Sequence, residues 1–407
     1  MQKRFSAFLT VIFTIATLFT NSNTIVTSAA VSADIIVAKN GTGDFSTVQA
    51  AIDSVPSDNS EEVVILVKNG TYKEVVTIRK NRVHLIGESS TGAIITYDNY
   101  AGKLKSDGTT YGTSGSASFY LYGTDAIIEN LTIENSFDEN INTDGKQAVA
   151  AYMRGDRQIV KDCIFIGNQD TLYAHSGRQY YSKCKIIGDT DFIFGGATAV
   201  FDNCEIVSTS RGGYVTAAST DIANYGYLFL NCNLKSDAAA NSTYLGRPWR
   251  PNGNVVYKEC YLGAHIKDIG WTSMSGNLPE NARFFEYKST GPGAVINSSR
   301  RQLTDDEAAL YSIDNLLKGT DNWKPDSDII ATPTPTPNII YGDLNGDGSA
   351  NSIDFALMRG YLLGITKLAE DKLAASDLNL DGSVNSPDFA IFRMYILGMI
   401  KALPLRI

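Results

Sequence analysis

The sequence predicts two unlike units. The first is an all-β solenoid of stacked coils, a parallel β-helix, and the second is a small all-α module with two oxygen-rich loops. Three observations predict this. A fixed apolar pattern recurs around Cys163, Cys184, Cys204, Cys232 and Cys260, which lie 21, 20, 28 and 28 residues apart. The run Thr332-Pro333-Thr334-Pro335-Thr336-Pro337 cannot join a helix or sheet and separates a long body from a short tail. Within the tail, a D-x-N-x-D-G segment occurs twice, 34 residues apart.

The body is read first. Three residues before the cysteines lie Val160, Tyr181, Phe201, Phe229 and Tyr257, and two residues after them Phe165, Ile186, Ile206, Leu234 and Leu262. An earlier copy centres on Leu131, between Ile128 and Ile133. Each unit is too short for the helix pairs of helical repeats, and its runs are β-branched and aromatic, so stacked β-coils are expected. The cysteines then form an interior ladder of small hydrophobes. Coils about 4.8 Å apart leave neighbours within reach of a bridge, and Cys184 with Cys204 is the expected pair. Five is an odd number, so at least one thiol stays free or pairs between chains. No CxxC or histidine cluster accompanies them, which argues against a metal site. After the last coil, Thr304 and Glu307 form a capping box before Ala308, Leu310, Ile313, Leu316 and Leu317. That helical segment is expected to cover the open end of the solenoid.

The 407 residues suffice for one large and one smaller domain. With 43% hydrophobic and 19% charged residues, the chain reads as an ordinary soluble protein. A net charge of -9 argues against general binding to nucleic acid or anionic membranes. Lys3 and Arg4, the apolar run from Phe8 to Phe19 and the small residues Val31-Ser32-Ala33 read as an export signal over 1–33. No other segment is long enough to cross a bilayer, so an extracellular protein beginning at Asp34 is expected. The predicted divisions are 34–328 for the β-helix, 329–338 for the linker and 339–407 for the tail.

Only three histidines are present, with neither a G-x-S-x-G nor an H-E-x-x-H segment, so neither a serine elbow nor a zincin helix is supported. The repeat points instead to carboxylates. Asp170 and Asp191 each lie seven residues after a cysteine and should stack on neighbouring coils. Two such carboxylates cannot both ionise freely, which leaves one group to donate a proton and another to attack. Spacing alone also allows two turn aspartates that cap loop amides.

The segments Gly70-Thr71-Tyr72-Lys73-Glu74, Gln147-Ala148-Val149-Ala150, Gly167-Asn168-Gln169-Asp170-Thr171-Leu172-Tyr173, Asp191-Phe192-Ile193-Phe194-Gly195 and Leu245-Gly246-Arg247-Pro248-Trp249 occur in that order. In them the body resembles the pectin methylesterase family over roughly Asp34 to Pro325. The resemblance implies a right-handed parallel β-helix, hydrolysis of galacturonate methyl esters in pectin, a monomeric catalytic domain and no catalytic cofactor. It implies Asp191 as nucleophile, Asp170 as acid and base, Gln147 and Gln169 as oxyanion donors and Arg247 as the partner of Asp191. Gln147, Arg247, Trp249, Phe194, Thr113 and Met274 would touch substrate, although core packing also accounts for Phe194, Thr113 and Met274. Tyr72 and Glu74 are read as structural.

In the tail, Asp343, Asn345, Asp347, Ser349, Asn351 and Asp354 form one loop, and Asp377, Asn379, Asp381, Ser383, Asn385 and Asp388 the other. Oxygen donors at positions 1, 3, 5, 9 and 12 around a glycine at 6 suit calcium, and two ions are expected. Each loop leads into an apolar-periodic helix, Phe355 to Leu363 and Phe389 to Leu397. These tandem half-hands resemble a type I-like dockerin, which implies a cohesin partner on a scaffold and attachment to a cellulosome. Two other readings of the whole chain are a polysaccharide lyase on the same fold class and a noncatalytic pectin-binding solenoid.

Overall fold

The computed structural model describes residues 33–404, except 210, 326–339, 347, 369 and 381. The expected leader (but for Ala33) and the Thr/Pro spacer lie outside the described residues. From Ile35 to Tyr287 the chain forms 10-, 8- and 7-stranded sheets, and all of the pairings within them are parallel. Within a sheet, neighbouring strands are mostly three apart in sequence order, because each coil contributes one strand to each sheet. This is a parallel β-helix, as the repeat predicts.

The repeat positions stack in register. Val160, Tyr181, Phe201, Phe229 and Tyr257 are successive partners in the ten-stranded sheet. The rings of Tyr181, Phe201, Phe229 and Tyr257 form a column with centroids 4.6–4.7 Å apart. Phe165, Ile186, Ile206, Leu234 and Leu262 pair likewise in the eight-stranded sheet. The residue before each cysteine (Asp162, Lys183, Asn203, Asn231 or Glu259) has φ of 52–56°. This single left-handed residue turns the chain sharply between two sheets and faces each cysteine inward.

All five cysteines are buried and free, so the expected Cys184–Cys204 bridge is absent. In-register coils hold equivalent side chains parallel at the strand spacing, whereas a disulfide needs Cβ atoms drawn to about 3.8 Å. The thiols instead donate to backbone carbonyls, Cys184 to Val160 at 3.5 Å and Cys204 to Tyr181 at 3.5 Å.

The capping box at Thr304 opens a helix at Asp305–Leu310, and a second helix follows at Ile313–Leu317. Their placement corrects the expectation of an end cap. Ala308, Leu316 and Leu317 lie on the outward column Ile159, Tyr180, Val200, Leu228 and Val256, along the flank of the ten-stranded sheet. Asp321 secures this segment with ion pairs to Arg178 (2.5 Å) and Arg157 (2.9 Å). A helix not foreseen, Val48–Ser54, adds Val48, Ala51 and Ile52 to the core beside the first coils. The Glu74 carboxylate accepts the Val48 and Gln49 amides at 2.9 Å, which neutralises the positive end of that helix. Glu74 is thus structural, as is Tyr72, whose buried ring donates its hydroxyl to Lys68 O at 2.9 Å.

The tail forms helices at Ser352–Leu362, Glu370–Ser376 and Ser386–Ile396. The first and third begin three residues earlier than predicted, because Asn351 and Asn385 are N-caps whose N–H groups donate to the Asp354 and Asp388 carboxylates at 3.0 and 2.9 Å. The middle helix was not foreseen. Leu344 and Leu378, Phe355 and Phe389, and Met358 and Phe392 are repeat partners that share one core, with the Phe355 and Phe389 rings stacked at 4.4 Å.

Candidate active site

The site lies on the outer face of the seven-stranded sheet. Leu172 pairs with Ile193 and Tyr173 with Phe194, so Asp170 and Asp191 occupy equivalent positions on adjacent coils. Asp170 N–H donates to Thr190 O at 2.9 Å. Both aspartates have positive φ, 66° and 51°, and the register of strand Thr190–Gly195 slips between Thr190 and Ile193. The slip lets Phe192 and Ile193 both enter the core, while Asp191 and Phe194 stay on the outer face. Backbone strain held by a packed core is common where a fold aims reactive groups.

Asp170 and Asp191 are 7% and 4% exposed. Arg247 grips Asp191 with two forked bonds, Nε to Oδ1 at 2.8 Å and an Nη atom to Oδ2 at 2.6 Å. Arg247 reaches this carboxylate from a strand two coils further on, with its guanidinium 3.7 Å from the Tyr214 ring centroid. Burial pushes Asp191 up, and the Arg247 fork opposes that shift. Burial and then the Asp191 charge push Asp170 well above the usual carboxylate range. The geometry therefore separates the two groups into one carboxylate held by a cation and one carboxyl whose protonated form is favoured.

Gln169 immediately precedes Asp170, and its carbonyl accepts the Ala148 amide at 3.1 Å, next to Gln147. Both glutamines are half-buried. Trp249, Phe194 and Met274 share an outer cluster with Tyr152 and Tyr173. Phe194 stacks on Tyr173 at 4.1 Å and sits 6.0 Å from Trp249. Phe194 thus belongs to the floor of the cleft rather than to the solenoid core. Thr113 begins a short 3-10 turn at Thr113–Gly115, and the neighbouring Ser114 is the residue that meets the Tyr173 hydroxyl.

Sequence reasoning missed the rest of this surface. Tyr120, Tyr122 and Tyr152 extend the aromatic floor with centroids 5.7–6.2 Å apart. Arg79 lies 4.5 Å over Tyr122 and Arg250 lies 4.9 Å over Trp249. The exposed Arg154 lies beside Tyr152 and His175. The available signal was alternation, since Tyr120-Leu121-Tyr122 and Tyr152-Met153-Arg154 each place aromatic or basic groups on one face. These cations make the cleft less negative than the chain as a whole.

In the tail, Asp354 Oδ1 accepts the Leu344 and Asn345 amides at 2.9 Å, and Asp388 Oδ1 accepts Leu378 and Asn379 at 2.8 and 3.2 Å. Asp343 accepts Gly346 and Gly348, and Asp377 accepts Gly382. Both loops are thus wrapped around their own carboxylates. Asn385 Oδ1 is buried without a protein partner among the described residues, an oxygen that suits a hard cation. Asp347 and Asp381 lie outside the described residues, and no cluster of three metal-binding side chains stands among those described. No described helix is long and apolar enough to cross a membrane.

A pectinesterase family model matches residues 34–320, and a dockerin type I domain model matches 341–397. Pectinesterase A of Dickeya dadantii is 38% identical over 346 residues, spanning 73% of this chain and 93% of that protein. Pectinesterase 31 of Arabidopsis thaliana is 40% identical, spanning 68% and 89%. A pectin methylesterase crystallised with a hexasaccharide superposes with a TM-score of 0.68 at 39% identity, covering 73% of this chain and 99% of that one. The carrot pectin methylesterase gives 0.66 at 29% identity, covering 76% and 98%. The chain therefore belongs to the pectinesterase family, the methyl-ester hydrolases of pectin, and carries a type I dockerin domain at its C-terminus.

Proposed function

We propose that this pectinesterase works through an aspartyl acyl-enzyme and that its dockerin tethers it, outside the cell, to a cohesin-bearing scaffold of the cellulosome type. The observation that carries the mechanism is the buried Asp191 carboxylate in the fork of Arg247, beside Asp170, whose pKa burial and the Asp191 charge push well up. Asp191 attacks the carbonyl carbon of a galacturonate methyl ester. Charge that develops on the carbonyl oxygen is met by the side-chain N–H groups of Gln147 and Gln169, which have no other protein partner among the described residues. The tetrahedral centre collapses, the C–OCH3 bond breaks, and Asp170 passes its proton to the departing methoxide. Methanol leaves a mixed anhydride on Asp191. Asp170, now a carboxylate, takes a proton from water as the water oxygen attacks the anhydride. The galacturonic acid group is released and gives its remaining proton to solvent, and both aspartates return to their starting states.

Trp249, Phe194 and Tyr173 offer ring faces to the sugar C–H faces, and Arg79, Arg154 and Arg250 offer charge to a polymer that gains carboxylates as it reacts. Met274 and Thr113 border the same cleft. Calcium is confined to the tail, where Asp343, Asn345, Asp347, Ser349, Asn351 and Asp354, and their counterparts from Asp377 to Asp388, would hold one ion per loop. The ions would supply folding energy to a module with a small core and take no part in ester cleavage.

The test is methanol release from highly methylated pectin, with EDTA and with calcium, by the mature protein and its Asp191→Ala variant. Release that survives EDTA and vanishes in the variant is expected. Full activity of Asp191→Ala would sink the mechanism, and unsaturated oligosaccharide ends in place of methanol would make the protein a lyase.

A further inference from the structure

The loop that connects strand Thr132–Asn135 to strand Ala151–Met153 carries Gln147 and is unusually well fastened at its far side. The Arg211 guanidinium pairs with the Glu139 carboxylate at 2.6 Å and donates to Asn140 Oδ1 at 2.5 Å. Lys146, next to Gln147, donates its ammonium to the Glu139 carbonyl at 2.8 Å. The Glu139 carboxyl also meets that of Asp189, which is buried and lies two residues before Asp191. Arg211 itself comes from the next coil, in the turn where Gly212 N–H donates to Thr209 O, just before strand Gly213–Ala218. Groups from three separate stretches of the solenoid therefore converge beside the reactive pair.

We propose that Glu139, Asp189 and Arg211 form a latch that positions Gln147 over the catalytic aspartates and sets the charge that Asp191 feels. This rests on the roles assigned above to Asp191 and Gln147.

Two facing carboxyls at one point share a proton, because both cannot be anionic there at little cost. Burial pushes Asp189 up, as it does Glu139, where the Asp189 charge adds to the shift. Arg211 neutralises the one negative charge that remains. The charged groups facing this cluster are Asp138 and Lys146 from the loop and Asp170 and Asp191 from the cleft. The Asp189 charge acts on both Asp170 and Asp191. Without the latch Asp189 would lose the Glu139 hydrogen bond and the Arg211 charge that oppose the effect of burial, and the loop would lose the tie that aims Gln147. The latch contributes little to folding, since the Arg211 side chain is 51% exposed and water screens such pairs. Tyr100 stacked on Phe137 at 4.2 Å and Ala101 N–H bonded to Gln147 O at 2.8 Å hold the near side of the loop without it.

The test compares Arg211→Ala, Arg211→Lys, Asp189→Asn and Glu139→Gln in full-length protein, by methanol release across pH together with thermal melting. Loss of an aimed oxyanion donor lowers kcat rather than binding, so Arg211→Ala should lose roughly 10- to 100-fold in kcat with KM and melting temperature nearly unchanged. Arg211→Lys should recover part of this loss. The acid limb of kcat/KM should move down in Asp189→Asn, which removes a charge near Asp191, and Glu139→Gln, which gives up the carboxylate that Arg211 holds, should lose kcat as Arg211→Ala does. Wild-type kcat in Arg211→Ala, or an unmoved acid limb in the nearly isosteric Asp189→Asn, would overturn the latch. Either result with an inactive Asp191→Asn enzyme leaves the nucleophile assignment intact, whereas an active Asp191→Asn enzyme would remove the basis of both.

Discussion

Arg247→Lys isolates what the guanidinium fork does. In the native site two charge-assisted bonds of 2.8 and 2.6 Å hold both Asp191 oxygens, and the guanidinium plane rests 3.7 Å from the Tyr214 centroid. Lysine keeps the positive charge but offers a point donor, so at best one of those bonds survives and the flat stack is lost. One such bond contributes about 1.5–3 kcal/mol, which corresponds to roughly 10- to 150-fold in kcat/KM. The direction with pH follows from the same geometry. In the proposed mechanism Asp191 attacks as the anion, burial pushes its pKa up, and Arg247 opposes that push. A weaker grip therefore raises the Asp191 pKa further and moves the acid limb of the activity profile to higher pH. The assay is initial-rate methanol release from methylated pectin over the acid-to-neutral range, with folding checked by circular dichroism. A variant with native kcat/KM and an unmoved acid limb would show that the fork is packing rather than chemistry.

Asp170→Asn should lower kcat by about 10²–10⁴-fold, the usual contribution of a positioned acid–base group. Because the folded state holds the Asp170 proton more tightly than the unfolded chain does, wild-type stability falls as pH rises through the ordinary aspartate range. The asparagine variant should thus melt higher than wild type near pH 7 and no higher near pH 3, measured by calorimetry. Arg300→Ala should cost about 3–5 kcal/mol in urea unfolding, since it leaves Glu286 buried without its forked partner. EDTA should abolish the helical signal and cohesin binding of the tail while methanol release continues, and parallel loss of both would contradict the assignment of calcium to the tail alone. The double variant Arg79→Ala/Arg154→Ala should raise KM for partly de-esterified pectin several-fold and leave kcat within about twofold, because uniform binding affects KM alone.

The solenoid was legible in the sequence because a coil repeats its chemistry at every turn. The cysteines, the residues three before them and those two after them each occupy one column of the interior, and a period near 20 to 30 residues needs no tertiary information to be seen. The same repeat brought out Asp170 and Asp191, since equal offsets from a cysteine mean equal positions on neighbouring coils. The duplicated loops of the tail were equally plain, because calcium-type ligation is written into consecutive residues. What escaped were contacts between residues with no common spacing. Arg247 reaches Asp191 across 56 positions and came only from the family resemblance, Arg211 reaches Glu139 across 72 and was not foreseen, and the helices at 305–317 chose the flank of a sheet whose outward column of apolar residues alternates with the inward one. The missing disulfide has the same origin. Sequence spacing placed Cys184 and Cys204 on adjacent coils, but only the parallel course of their side chains decided that they stack without joining. Local periodicity and residue chemistry thus determined the architecture and the reactive pair. The tertiary structure alone decided which distant groups fasten the Gln147 loop and where the 305–317 helices lie, because long-range register depends on how many residues each intervening turn consumes.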